Sequence, residues 1–419
     1  MRRLWLLTLP LLFLPTIAFG QSATVNWTNV HQEIDGFGAS DAFQATPLTT
    51  TQAAFFFGTS PGDIGLSLLR TAVPNNGDQA GNCATVNSGC AGPFISDMQL
   101  AIPYGVRVWS TSWSPPAAYT TNGSTDCSAG SGSGALLSSD YSAYATWLAN
   151  YVESVKTYGG ISLYALSVQN EPDICSSYDS ALMSAAAFDS FIKSNLGPAF
   201  ASDGLSTLIM MPEPTGFDDY VKYAQTCMGD SSCYQYVGIN AWHDYDATYT
   251  APDTVNSVSN AYASLGKKFW ETEASAGAGF GPSLCTEPCF DASMANALMW
   301  AAIIDNRIAV ANANAWSYWW LINYYDDDDE GLVGGTGQAE IAQRAYVMGN
   351  YSMFVRPGYY RIDATHIPQS GVTVSAYQNA PGGNLVIVAT NQNGSSVSQA
   401  FSITNAPTFT SVTPYITSA

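Results

Sequence analysis

Two glutamates stand where apolar, strand-like runs end: Glu171 in LYALSVQNEPD (163–173) and Glu273 in KKFWETEAS (267–275). Cleavage of a sugar acetal needs such a pair, because one carboxyl must protonate the leaving oxygen while the other stabilises or captures the oxocarbenium-like centre. Each glutamate closes a strand, so a barrel would carry an acid and a nucleophile on one rim. Glu171 lies between Asn170 and Pro172, and the turn presents both polar side chains toward the barrel mouth. This assigns Glu171 as acid/base and Asn170 as a donor to the sugar 2-hydroxyl.

Strand alternation places Phe269, Glu271 and Glu273 on one face, so spacing alone leaves two nucleophile candidates. Glu273 is nearer the carboxyl end, where barrel chemistry occurs. Glu271 would lie one layer deeper and needs a partner such as Arg70 or Arg107. Glu213, in MMPEP, is a third strand-end carboxylate and the reserve candidate. Arg70 ends the second strand, where a cation beside the nucleophile keeps it ionised. His243 in NAWHDY orients Glu273, binds substrate or is structural; Trp113, Tyr245, Trp316 and Trp320 are strand-end aromatics that suit a sugar platform or a core.

The elements that must position these groups are eight apolar runs with turn-like ends, at 33–40, 64–73, 105–114, 161–169, 206–214, 236–245, 267–274 and 314–322. Helix-like stretches at 140–159 and 291–309 lie between them, with apolar residues at three-to-four spacing. Alternation of this kind predicts an α/β fold, a (β/α)8 barrel over 33–354 with its site at the carboxyl ends of the strands. From 355 to 419 short alternating runs predict an antiparallel β module partnered by the N-terminal strand segment 21–32.

Residues 1–20 carry two arginines after the first Met, continue with an apolar run and end in Ala18-Phe19-Gly20, which predicts a secretory signal and an extracellular protein; a monomer is expected. Eight cysteines follow. An even count in a secreted chain predicts disulfides, here Cys83–Cys90, Cys227–Cys233, Cys285–Cys289 and, with the remaining two, Cys127–Cys175. The net charge of -20 excludes a nucleic-acid partner. Only three histidines and no P-loop exclude metalloenzyme and nucleotide chemistry, and no cofactor is expected. Gly58–Gly62 fits G-x-S-x-G, but Pro61 lacks the N–H an oxyanion hole needs and a strand follows instead of a helix. The run Asp326 to Gly331 resembles the start of a calcium loop, yet its twelfth position is Gly337; it reads better as an acidic loop over the cleft.

Taken together, IDGFGAS, LLRTAV, SWSPPAAY, LYALSVQNEPD, FWETEAS, WSYWWLI and FVRPGYYRIDAT resemble the xylanases of glycoside hydrolase family 30, above all the bacterial glucuronoxylanase branch. The resemblance covers nearly the whole chain after residue 20. It implies a (β/α)8 barrel with a side β-sandwich built from both termini, and a retaining double displacement on β-1,4-xylan with Glu171 as acid/base and Glu273 as nucleophile. It also places Trp113, His243, Tyr245 and Trp320 in the cleft. In that branch an arginine after the Trp-Trp pair grips the glucuronic acid of the substrate. This chain has Asn323-Tyr324-Tyr325 and four aspartates instead, so an endo-xylanase tolerant of neutral or arabinose-decorated xylan is expected. An endo-β-1,6-glucanase or endo-β-1,6-galactanase is the alternative, since linkage choice lives in loops; a silent polysaccharide-binding protein is disfavoured by both intact glutamates. The side module also looks short at its C-terminal end.

Overall fold

The structure, a computed structural model, describes residues 22–44, 46–130, 132–245, 262, 264–276, 289–324, 329–379 and 383–418. The expected signal segment, Cys285 and Asp326 to Asp328 lie outside the described residues. Eight parallel strands close on themselves: β2 (Gly36–Ser40), β3 (Leu68–Ala72), β4 (Arg107–Thr111), β5 (Ala165–Ser167), β6 (Leu208–Pro212), β7 (Val237–His243), β8 (Lys268–Glu273) and β9 (Ala315–Ile322). Each pairs with the next, and β9 returns to both β8 and β2. These are the eight runs expected from the sequence.

The strands are buried on both faces, which explains why they read as near-continuous apolar runs. Their inward side chains form a packed layer of Leu68, Trp109, Ala165, Met210, Ile239, Ala241, Trp270 and Ala315. Trp109 meets Trp270 edge to face at 6.1 Å, and the alanines opposite leave room for the two indoles. Beneath this layer Asp35 accepts from Trp270 Nε1 (2.9 Å), Lys268 Nζ (2.6 Å) and Arg107 Nη1 (2.9 Å). Arg107 therefore belongs to the amino-terminal end of the barrel and does not pair with Glu271.

Outward side chains face the helices. Tyr144, Trp147, Leu148 and Tyr151 form the buried stripe of the helix Tyr141–Ser154. Phe269 stacks on Trp242 at 4.3 Å, and Trp316 packs against Trp300 at 6.0 Å. Trp316 is thus a core residue between sheet and helices, away from the mouth. Beyond β9 the mouth is extended by β10 (Gly331–Gly334), parallel to β9, and β11 (Glu340–Ile341).

The side module is a five-stranded mixed sheet ordered β14-β13-β12-β1-β15, where β1 is Ala23–Ile34, β12 Tyr359–Ala364, β13 Val372–Asn379, β14 Leu385–Asn391 and β15 Phe401–Thr404. The expected antiparallel pattern holds from β1 through β14. It fails at β15, which pairs parallel to β1 because residues 392–400 carry the chain across one end of the sheet. Arg361 Nε donates to Gln32 Oε1 (2.9 Å), and His366 Nε2 meets Asp305 Oδ2 on the barrel helix Met294–Asp305 (2.5 Å).

Cys83–Cys90, Cys127–Cys175 and Cys227–Cys233 are disulfides, as expected. Cys289 is also disulfide-bonded. Gly58 to Gly62 joins the helix Thr50–Phe57 to β3, the reverse of a nucleophile elbow, and Ser60 donates its backbone N–H to Asp63. Among the described residues no helix is long and apolar enough to cross a membrane.

Candidate active site

The carboxyl ends of β3, β5, β6, β7 and β8 converge on a buried cluster of charge. β5 ends at Ser167, and after Gln169 and Asn170 the backbone of Glu171 turns through φ +40°. β6 ends at Pro212, and Glu213 turns through φ +55°. Positive φ is uncommon for residues with a side chain and is concentrated at functional sites. The two turns support each other: Glu171 N–H donates to the Glu213 carbonyl over 2.9 Å, and Glu213 N–H to that of Ala241 over 3.1 Å. Both carboxylates thereby point inward over the barrel.

Glu273 arrives there by a different route. The pairing of β7 with β8 slips between Trp242–Glu271 and His243–Glu273. The slip breaks the alternation expected from sequence: Phe269 stays in the helix-facing aromatic layer, while Glu273 turns to meet Arg70 and His243 at the mouth. Glu271 is fully buried. Its partners are backbone N–H groups, neither Arg70 nor Arg107: Oε1 accepts from Glu273 at 3.1 Å and Oε2 from Ser317 at 3.2 Å.

Arg70 is the hub. Its Nη1 pairs with Glu273 Oε2, Nη2 lies 3.3 Å from Glu213 Oε1 and donates to Asn170 Oδ1 at 2.7 Å, and Nε donates to Thr111 Oγ1 at 3.1 Å. Trp113 covers the guanidinium, whose carbon is 4.4 Å from the ring centroid. A guanidinium is planar and permanently charged, which suits it to this buried, many-sided role. Fixing Asn170 Oδ1 on Arg70 leaves the amide NH2 as that residue's donor.

His243 sits among all three carboxylates. Nδ1 is 3.1 Å from Glu171 Oε1, while Nε2 is 3.6 Å from Glu273 Oε2 and 3.7 Å from Glu213 Oε1. Burial alone would lower its pKa, but the charges of Glu273, Glu171 and Glu213 raise it to about 10. The ring is therefore an imidazolium. Burial would raise Glu213, yet Arg70 and His243 outweigh it and hold that carboxylate at about 2. Burial raises Glu273 above the ordinary glutamate value, His243 and Arg70 pull it back, and the charge of Glu171 pushes it up again. Three carboxylates against two cations make one proton on the cluster electrostatically favourable.

Tyr245 Oη donates to Glu273 Oε1 at 3.0 Å. Trp319 and Trp320 stack on each other at 5.0 Å, Trp319 meets Trp113 at 5.8 Å, and Trp320 Nε1 donates to the Ala42 carbonyl at 2.9 Å. All eight candidate residues, Glu171, Glu273, Asn170, Trp113, His243, Tyr245, Trp320 and Arg70, lie in or against this one cluster. Two participants were not read from the sequence. Tyr178, 45% exposed on the loop after β5, donates to Glu171 Oε2 at 3.2 Å, and Thr111 Oγ1 donates to Glu213 Oε2 at 3.0 Å. Glu213, the reserve candidate, lies between Arg70 and His243, 3.3 Å from Nη2 of the first and 3.7 Å from Nε2 of the second. The signal for it was present: MMPEP repeats the Glu-Pro turn of QNEPD one strand later.

One oxygen from each of Glu171 and Glu273 and a ring nitrogen of His243 lie within 4.8 Å of one another. Such a set resembles a metal site, but the positive charge beside these carboxylates comes from Arg70, which pairs with Glu273 and lies 3.3 Å from Glu213. Asp78, Asp126 and Asp179 cluster on the loops after β3, β4 and β5, where Asp179 accepts from Asn75 Nδ2 at 2.8 Å. In the acidic run, Asp329 pairs with Arg344 at 2.6 Å and accepts from the Asp291 N–H at 2.9 Å.

The family model for the glycosyl hydrolase family 30 TIM-barrel domain matches residues 91–327. A glucuronoxylanase, XynC, of Bacillus subtilis (strain 168) is 28% identical over 406 residues, covering 94% of this chain and 84% of that protein. Among solved structures, the family 30 subfamily 8 xylanase Xyn30A from Clostridium acetobutylicum superimposes with a TM-score of 0.73 at 31% identity, over 92% of this chain and 88% of that one. A family 30 endoxylanase from Clostridium papyrosolvens C71 gives the same TM-score at 28% identity, with the same coverage.

Proposed function

The chain belongs to glycosyl hydrolase family 30, and on that premise we propose that it is a secreted, retaining endo-β-1,4-xylanase that cleaves xylan without strict need of a glucuronic acid branch. The observation that carries the mechanism is the spacing of the two carboxyls. Oxygens of Glu171 and Glu273 approach within 4.8 Å, whereas inverting pairs stand about 6.5–9.5 Å apart to seat a water between them.

In the first step Glu273 attacks the anomeric carbon while Glu171 gives its proton to the departing glycosidic oxygen. The C1–O bond to the leaving chain breaks and a C1–O bond to Glu273 forms. In the second step Glu171, now a carboxylate, takes a proton from water; the water oxygen bonds to C1 and Glu273 leaves. Arg70 and Tyr245 hold the Glu273 carboxylate in one orientation, which converts attack into a near-unimolecular event. His243 touches both catalytic carboxyls and disperses the charge that passes between them. Asn170, steadied by Arg70, offers its NH2 to the 2-hydroxyl of the sugar in the reacting subsite.

Xylan as substrate is supported by relatives named glucuronoxylanase and xylanase at 28% and 31% identity. Tolerance of unbranched chains is supported by the segment Asn323 to Glu330, which contains no lysine or arginine to pair with a glucuronate. The apolar leader, the disulfides and the xylan substrate together support secretion.

Product masses test this reading. Glucuronoxylan, arabinoxylan and linear xylo-oligosaccharides should all release neutral oligosaccharides, and Glu273→Gln should abolish the release. Cleavage confined to glucuronoxylan would refute branch tolerance; turnover of β-1,6-linked glycans alone would refute the xylanase assignment.

A further inference from the structure

We infer that Glu271 is a positioning residue for the nucleophile: its carboxyl group clamps the mouth ends of β8 and β9 and fixes the backbone from which Glu273 projects. The inference rests on the assignment of Glu273 as nucleophile.

Three observations converge. The pairing of β8 with β9 is confined to Trp270–Ala315 and Glu271–Trp316, and the next backbone link is Trp319 N–H to the Ala274 carbonyl at 2.9 Å. Between those two links lies the stretch that carries Glu273. There the Glu271 side chain accepts from the N–H of Glu273 at 3.1 Å and from that of Ser317 at 3.2 Å, one oxygen for each strand. On the other side, β8 slips against β7 between Trp242–Glu271 and His243–Glu273. The turn that swings Glu273 into the mouth is thus irregular on one flank and bridged by a side chain on the other.

The group is fully buried, so water cannot replace it. An apolar side chain there would leave two buried N–H groups without this acceptor. More important for chemistry, Glu273 reaches Arg70 and Tyr245 through a side chain whose origin is set by this clamp. A glutamine is the same size but has one acceptor oxygen and a donor NH2, so it satisfies one of the two N–H groups and opposes the other.

The experiment uses a 2-deoxy-2-fluoro-xylobiosyl fluoride. Its C1–F bond breaks as the bond from C1 to Glu273 forms, and fluoride leaves without needing the Glu171 proton. The rate of covalent capture therefore reports the placement of Glu273 alone. Capture by Glu271→Gln should slow about 10-fold and by Glu271→Leu about 100-fold, with the inhibitor's binding constant within about two-fold of the parent, as expected for a nucleophile displaced by a fraction of an ångström to about 1 Å. Should Glu271→Leu not fold, Glu271→Gln decides the matter. Capture at the parent rate in a folded variant, with only the Tm lowered, would overturn the positioning role, and so would a loss confined to binding. Peptide mapping separates the two assignments: an adduct on a residue other than Glu273 in the parent enzyme would overturn the nucleophile and the clamp together, whereas an adduct on Glu273 with unchanged rates would overturn the clamp only.

Discussion

Glu171 and Glu213 are tied backbone to backbone, the N–H of the first donating to the carbonyl of the second over 2.9 Å, and both hold positive φ just before a proline. One of these twin turns delivers the proposed acid, the other the counter-ion that balances Arg70 and His243. The division of labour follows from surroundings: Glu171 faces Tyr178 and the rim, while Glu213 is sealed beneath with no exposed surface.

Glu213→Gln should therefore act through His243. Removing a carboxylate that touches both cations breaks two buried contacts and leaves only Glu171 and Glu273 to balance Arg70 and His243, so stability should fall, by less than the about 3–5 kcal/mol of a fully uncompensated buried charge. The imidazolium, held at about 10 in the parent, should titrate lower. Thermal unfolding and an NMR titration of the ring would show both effects; an unchanged histidine titration would contradict the role given to Glu213.

Stability should be greatest in mild acid. His243 is raised from 6.5 to about 10 on folding, so its contribution is complete below pH 6.5 and disappears as pH climbs to 10. Buried Asp41 and Glu271 are raised as well, chiefly by burial, and also favour the fold less as pH rises above their ordinary values. Glu213 works in the opposite sense, lowered from 4.5 to about 2, and its contribution fades as pH falls through that window. Melting temperatures across pH 2–10 should peak near about 4.5 to 6 and fall on both sides.

Activity should fail in acid at a pH above the ordinary glutamate value of 4.5. Glu273 must be ionised to attack, and burial with the charge of Glu171 raises its pKa. The acidic limb of kcat/KM reports the free enzyme's nucleophile, so an inflection below 4.5 would contradict this environment.

Tyr178→Phe should weaken acid catalysis without unfolding the protein. The phenol is half exposed and its hydroxyl touches the acid at 3.2 Å. On xylo-oligosaccharides kcat should fall about 10-fold, within the range for a positioned acid, and the loss should shrink on a dinitrophenyl xylobioside whose leaving group needs no proton. An equal loss on both substrates would assign Tyr178 to binding instead.

The loop that carries Tyr178 is stapled by Cys127–Cys175, a closure of 48 residues. Replacing both cysteines with serine should cost about 4 kcal/mol by the loop-entropy relation. Calorimetry would measure it, and Tyr178-dependent acid catalysis should decline in the same variant.

The barrel was legible because each strand is apolar on both faces and ends in a polar or turn-forming residue, the signature of a buried parallel sheet. Glu171 and Glu273 were legible for the same reason: polar groups at strand ends stand out. Glu271 was misplaced because alternation assumes a regular ladder, and the slip beside His243 is invisible in a single strand's sequence. Tyr178 lay in a loop, where no periodicity reports direction. The hub role of Arg70 needed three strands brought together. The parallel pairing of β15 depends on a crossover that short alternating runs do not encode.

The most direct test is the anomeric configuration of the first-formed product, followed by proton NMR while linear xylo-oligosaccharides or glucuronoxylan are cleaved. The proposed double displacement, which carboxyl oxygens within 4.8 Å favour, passes through a covalent intermediate on Glu273 and a second inversion, so the β-anomer should appear first and mutarotate later. Initial appearance of the α-anomer would contradict the account, because it would mean a single displacement by water with no covalent intermediate on Glu273.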